Sequence, residues 1–352
     1  MVLLQNVGLT QLHTAAAMQN TLRSPLCALV LLCWHLIGGY LIGADSNIPL
    51  CERLLIPLLR DYPQGALVLF FAARLCVVTA QIDNGIAYLN KSVAAQSLWR
   101  QYHHVCFWEL MFAHAYERDW AKATYYAKQL YEENKWSRAT YAYMTAIFMH
   151  AQYDTLGVAD RGYMTSLCEK VPSLRIRIAG KSIPVEKFCG MKARRYSLKG
   201  TLTLAHYELI YLWNGFNILG QKEELLKPIL ADIEAQMKRI ESAQVRDQDD
   251  YCLCLLLKAM CFKHLQSPFQ AEQCFKDIID SESRLTDHRY LVPSSYFELA
   301  LLRMDEDRLT ETQQLLTKAR EFKNYPLETR LHFRIHSAFE KLGVKTPSPT
   351  RL

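Results

Sequence analysis

Glycine and proline are scarce in this chain, 14 and 12 of 352 residues. A β-rich fold with many tight turns draws on both, so their scarcity favours helices joined by short links. The sequence also has no HExxH, no GxSxG, no glycine-rich nucleotide loop and no paired carboxylates in an evident cleft loop. Metal-assisted hydrolysis, nucleophilic-serine hydrolysis and nucleotide chemistry therefore lack the residues they need. The eleven cysteines, Cys27 to Cys274, follow no framework spacing, and an odd number in a chain this long does not describe a secreted disulfide scaffold. They are expected to be reduced and mostly buried, in a cytoplasmic protein. What is abundant is apolar: half the residues are hydrophobic and 22% are charged, enough to build a core.

The net charge of +6 is concentrated in one place. Between Leu174 and Gly200 stand Arg175, Arg177, Lys181, Lys187, Lys192, Arg194, Arg195 and Lys199 against a single acid, Glu186. That stretch carries +7 and the remainder −1, so the basicity belongs to one segment and a general nucleic-acid-binding surface is not expected. Gly180-Lys181-Ser182 ends like a phosphate loop, but Arg175 stands where its first glycine belongs, and a turn is the expected reading. His103, His104 and Cys106 are close in sequence, but adjacent helical residues diverge by about 100°, so no metal site is expected there. Cys252 and Cys254 point to different faces for the same reason. Asn90-Lys91-Ser92 falls inside a predicted helix and reads as a chance glycosylation sequon.

Leu26 to Gly43 contains no charged residue. Its length is near the lower limit for a membrane span, yet His35 and Gly38-Gly39 interrupt it and no basic cluster flanks it. Burial within a soluble helical array is the leading reading, with membrane association as the alternative. From about Pro63 onward one spacing recurs: a small or medium residue, a small one twelve later, and an apolar one four after that. It appears as Ala73–Gly85–Leu89, Met111–Ala123–Ala127, Ala259–Ala271–Phe275 and Ala300–Thr312–Leu316, and more weakly as Trp213–Leu225–Ile229. Antiparallel helices that cross closely need small side chains at the crossing, and a 34-residue helix-turn-helix with this pattern is the tetratricopeptide signature.

Particular strings go further. Tyr62–Leu75 (YPQGALVLFFAARL), Gln101–Tyr116 (QYHHVCFWELMFAHAY), Arg177–Tyr196 (RIAGKSIPVEKFCGMKARRY), Tyr211–Phe216 (YLWNGF) and Thr329–Ala338 (TRLHFRIHSA) resemble the tetratricopeptide repeat protein 39 family. The resemblance implies helical repeats and a non-catalytic interaction role. It also implies that this chain is a C-terminal part or short form, its apolar helix expecting a neighbour.

The expected organisation is N-terminal helices over 1–60, first repeats over 61–153, a basic insertion packed on the array over 154–200, second repeats and a capping helix over 201–342, and a flexible tail over 343–352. The expected fold is an all-α, tetratricopeptide-like α-solenoid. The expected function is a scaffold or adaptor that binds protein partners through a helical-repeat groove, with an anionic membrane surface as a second partner class. No cofactor, metal or small-molecule substrate is expected. The partner-binding candidates are Arg175, Arg177, Lys181, Lys187, Lys192, Arg194 and Arg195 in the insertion, and Arg74, His103, Tyr141, Asn214 and Asn217 in the repeats. Glu109 and Glu298, acids among apolar residues, are expected to pair with nearby basic groups.

Overall fold

The structure is a computed structural model and describes residues 2–18, 21–44 and 46–343. It is all-α. The helices are α1 (Val2–Ala17), α2 (Ser24–Ile42, with a π-turn at Trp34–Gly38), α3 (Ile48–Asp61), α4 (Ala66–Val78), α5 (Ile82–Ala94) and α6 (Arg100–Tyr116). There follow α7 (Trp120–Glu133), α8 (Arg138–Ala151), α9 (Val158–Lys170), the short strands β1 (Arg177–Ile178) and β2 (Lys181–Ser182), and α10 (Pro184–Lys199). The chain continues through α11 (Ala205–Leu212), α12 (Phe216–Leu219), α13 (Glu223–Glu241), α14 (Gln248–His264), α15 (Pro268–Ile279), α16 (Leu291–Asp305), α17 (Leu309–Glu321) and α18 (Glu328–Lys341). Two compact units divide it, Met1–Ala113 and His114–Leu352. The tail, 343–352, lies outside the described residues except for Gly343.

In the first unit α2 packs on α1, α3 and α4, and α4 packs on α5. The α4–α5 crossing shows why the recurring spacing exists. Ala73 and Leu89 are fully buried. A methyl added to Gly85 would come within 2.5 Å of Val77 Cγ2, so the two helices close to a distance that only glycine permits.

The second unit repeats the device. Helices α14 and α15 bury Ala259, Ala271 and Phe275, and α16 and α17 bury Ala300, Thr312 and Leu316, all with no exposed surface. Each fully buried Phe or Leu contributes about 1.5–3 kcal/mol relative to exposure. The weaker copy departs at its middle position: Leu225 is only partly covered and its neighbour Leu226 is buried, while Ile229 is buried. Its first residue, Trp213, lies past the end of α11 at Leu212, where Asn214 adopts a left-handed φ of 60° before α12 begins. Residues 154–200 fold as α9, a two-residue β-hairpin and α10. Helix α9 packs on α8, and α10 packs on both.

Candidate functional site

The basic segment divides into an inward and an outward half. Helix α10 begins with Pro184 in its first turn and presents one face to α8 and α9. Lys192 lies on that face, 2.8 and 2.9 Å from the two oxygens of Glu208 and 2.9 Å from His288 Nε2. Tyr290 donates its hydroxyl to the same carboxylate. Burial, with Lys192 and Arg195 alongside, holds His288 well below its ordinary pKa, so the ring is neutral. Its Nε2 accepts from Lys192, which leaves Nδ1–H to donate to the Asp249 carbonyl at 3.2 Å.

One turn along, the buried Arg195 guanidinium is 2.8 Å from Asp247 and 2.9 Å from Asp250, and it also pairs with Asp287. Asp249 is turned to the next loop: it accepts from the Thr286 hydroxyl at 2.6 Å and the His288 amide at 2.8 Å. Burial alone would raise the pKa of Asp249, but these donors, with Arg195, bring it below the ordinary carboxylate value. Asp247 also caps α14, accepting from the Asp250 amide. Glu186, the one acid of the segment, is fully buried and ties the hairpin to the array: it accepts from the Ile176 amide at 2.6 Å and from Ser137 Oγ at 2.8 Å.

The outward half is Arg177, Lys181, Lys187 and Arg194, all exposed and without an ion pair. Arg177 and Lys181 sit on the hairpin, where Arg177 faces Ser182 and Ile178 faces Lys181. Its turn, Ala179-Gly180, has positive φ at both positions, 49° and 77°, as a tight primed turn requires. Gly180-Lys181-Ser182 is therefore a turn of the insertion. Ile178 is exposed between the cations. Arg175 lies across Gly190 and donates to the Pro172 carbonyl at 3.1 Å.

Four of the five repeat candidates turn inward and one is exposed. Arg74 is buried, paired with Glu109 at 2.9 Å and bonded to the Leu36 carbonyl at 3.0 Å. His103 is buried against the Gln96 carbonyl at 2.7 Å. Tyr141 is buried and accepts from Asn134 at 3.3 Å. Asn214 is buried in its left-handed turn, and Asn217 is exposed. Lys192, Arg195, Arg74, His103, Tyr141 and Asn214 thus face the interior, where a macromolecular partner does not reach them. A charged side chain is buried when it meets an opposite charge, and each of these cations does. Glu298 likewise meets Lys263 at 3.2 Å and Arg334 at 3.1 Å. Burial pushes its carboxyl up, but the two cations outweigh that and lower it.

A feature that sequence spacing does not announce is a cleft of about 540 Å³ in the second unit. Its walls come from α7, α8, α11, α13 and the loops after α8 and α10. Trp120 lines it, edge-on to His206 with ring centroids 4.7 Å apart. Arg118 is held on its floor by Asp232 at 2.7 Å and the Tyr207 hydroxyl at 3.1 Å. His206 has no hydrogen-bond partner on Nδ1, and burial drives its pKa down to about 3. Exposed Arg239 and Asp154 stand at the rim. Among the described residues no group of histidine, cysteine and acidic side chains could hold a metal ion. All eleven cysteines are free. Eight are buried, Cys27 and Cys76 are partly covered, and Cys33 alone is exposed.

The family model for Iml2/Tetratricopeptide repeat protein 39 matches residues 5–265. The chain belongs to this family. Tetratricopeptide repeat protein ttc-39B of Caenorhabditis elegans is 44% identical over 341 residues, which is 97% of this chain and 59% of that relative. The chain thus spans about three fifths of the relative's length. The family match extends from α1 through α14, so it includes the basic hairpin, the Lys192 and Arg195 contacts on α10, α11 and α14, and the whole cleft at Trp120. Membership in the Iml2/Tetratricopeptide repeat protein 39 family agrees with the all-α, tetratricopeptide-type array of the structure.

Proposed function

We propose that this chain is a non-enzymatic adaptor that takes a segment of a partner polypeptide into the cleft at Trp120. The observation that carries the reading is the cleft's make-up: an aromatic floor with a rim of unpaired charge of both signs, Arg239 and Asp154. Rigid helices fix its walls, and rings that expose a face with polar groups around them favour an extended peptide. The outward cations Arg177, Lys181, Lys187 and Arg194 would add attraction for an acidic partner and speed its encounter. The burial of most cysteines among core side chains supports a reducing, cytoplasmic setting. Filling the cleft tests the reading. Ala235→Trp, at an exposed lining position, should abolish partner capture with an unchanged melting temperature; undiminished capture refutes it.

A second reading rests on α2. Among the described residues it is the one helix long and apolar enough to cross a bilayer, and only a third of its 18-residue apolar window is buried. Leu26, Val30 and Cys33, spaced four and three apart, line its exposed side. An amphipathic contact with a membrane surface would cover that side. Flotation with liposomes of anionic lipid tests it: Leu26→Glu with Val30→Glu should leave the chain at the bottom of the gradient if α2 makes the contact.

A further inference from the structure

Helix α18 buries its apolar side, Leu331, Ile335, Ala338 and Phe339. Beside that side Arg330 and Arg334 are mostly covered, while Phe333 is exposed. Arg334 has a carboxylate partner in Glu298. Arg330 has none. Among the described residues its guanidinium makes no ion pair and no hydrogen bond; it lies over the Trp213 ring, 5.1 Å away, with Tyr211 nearby. Arg330 Nη2, Arg334 Nε and the Tyr325 hydroxyl are shut off from solvent without a hydrogen-bond partner.

All three residues line one cavity of about 30 Å³, whose wall also includes Tyr211, Tyr290 and Leu331 and contains no acid. Close by, Glu298 already serves both Lys263 and Arg334. Two cations therefore share that carboxylate, and Arg330 is not among them. Burial, with Arg334 nearby, lowers the Arg330 pKa to about 10, so the group stays charged at neutral pH. A buried charge without a counter-charge is costly, and among the described residues no acid pairs with this one.

We propose that this cavity binds a carboxylate, with Arg330 as its ion-pair partner and Arg334 beside it. The charge and shape of the wall select the class: a guanidinium faces a small space of about 30 Å³ whose lining contains no acid. A carboxylate has two oxygens and a planar shape that a guanidinium matches in two parallel hydrogen bonds. A phosphate has four oxygens in a tetrahedron. The carboxylate belongs either to a small organic acid or to an acidic side chain of a polypeptide. The site is separate from the cleft at Trp120 and does not depend on it.

The test is a melting series at constant ionic strength in which sodium chloride is exchanged for sodium acetate. Acetamide serves as the neutral control and inorganic phosphate as the tetrahedral one. A saturable rise of roughly 3–6 °C is expected near a hundredfold excess over Kd. Neither acetamide nor phosphate should reproduce it, and it should vanish in Arg330→Gln. That variant should itself melt no lower than the parent in chloride, because it removes the uncompensated charge. Fluorescence of Trp213, identified by subtracting Trp213→Phe, should follow the same titration and gives a readout that needs no Arg330 variant. No response to acetate, an equal response to phosphate, or a response retained in Arg330→Gln would overturn the proposal. An acetylated, amidated Gly-Glu-Gly peptide separates the sources. Saturation well below the acetate range assigns a polypeptide side chain, and saturation within that range assigns a small acid.

Discussion

Arg195 and Arg330 are the same side chain in opposite circumstances. Arg195 is surrounded by Asp247, Asp250 and Asp287, drawn from two segments that lie 52 to 92 positions away along the chain. Arg330 has no acid and one aromatic face. The first arrangement is a clamp, in which one guanidinium fixes α10, the start of α14 and the loop before α16. The second is incomplete, and a ligand can complete it. The difference shows how to sort the cations of a helical array: what matters is whether the fold has already supplied the counter-charge.

The largest expected effect comes from breaking the clamp. Arg195→Ala leaves several carboxylates facing one another and should cost about 3–5 kcal/mol in urea unfolding. A loss below about 1 kcal/mol would show that the clamp is dispensable. Acid weakens the same region next. His288 is neutral in the fold, with a pKa below the unfolded value near 6.5, so its contribution is complete above that pH and is lost progressively beneath it. The loss should steepen below pH 6.5 and not exceed about 1.4 kcal/mol per pH unit for this one group. His288→Gln should show a correspondingly flatter dependence of the melting temperature on pH, and a parallel curve would count against the assignment. Arg330→Met should do the opposite of Arg195→Ala and change stability by no more than about 1 kcal/mol, with a gain more expected than a loss. A loss as large as that of Arg195→Ala would erase the contrast. Smallest of all is reversal of the outward cations. Arg177→Glu with Lys181→Glu should shift stability by less than about 0.5 kcal/mol, and any change in partner capture is then a surface effect.

The helical fold and its crossings were legible because helix contact demands small side chains at fixed intervals. Ala73–Gly85 and Ala300–Thr312 carry that demand in sequence whatever their tertiary surroundings. In the Trp213 copy the middle position fell one residue early, at Leu225 rather than the buried Leu226, and the left-handed turn at Asn214 leaves no mark in apolar periodicity. The acids among apolar residues, Glu109 and Glu298, were legible as needing cations, and both have them. Which of eight clustered cations face inward was not legible, since Lys192 and Arg195 find their partners on α11, α14 and the loop before α16. Nothing in the spacing of Arg330 and Arg334, four apart on one helix, records that Arg334 meets a carboxylate and Arg330 an aromatic ring. The cleft at Trp120 combines four stretches of chain, and no local spacing records such a convergence.

Cys33 gives the molecule a chemical reporter of its own. It is the one exposed thiol among eleven, and it lies on the same side of α2 as Leu26 and Val30. A maleimide added under native conditions should therefore mark that position ahead of the others. Whatever covers this side of α2, whether another protein or a lipid surface, should slow the labelling at this atom. One mass-spectrometric time course on the unaltered chain can then read the occupancy of α2 directly, with no mutation and no tag.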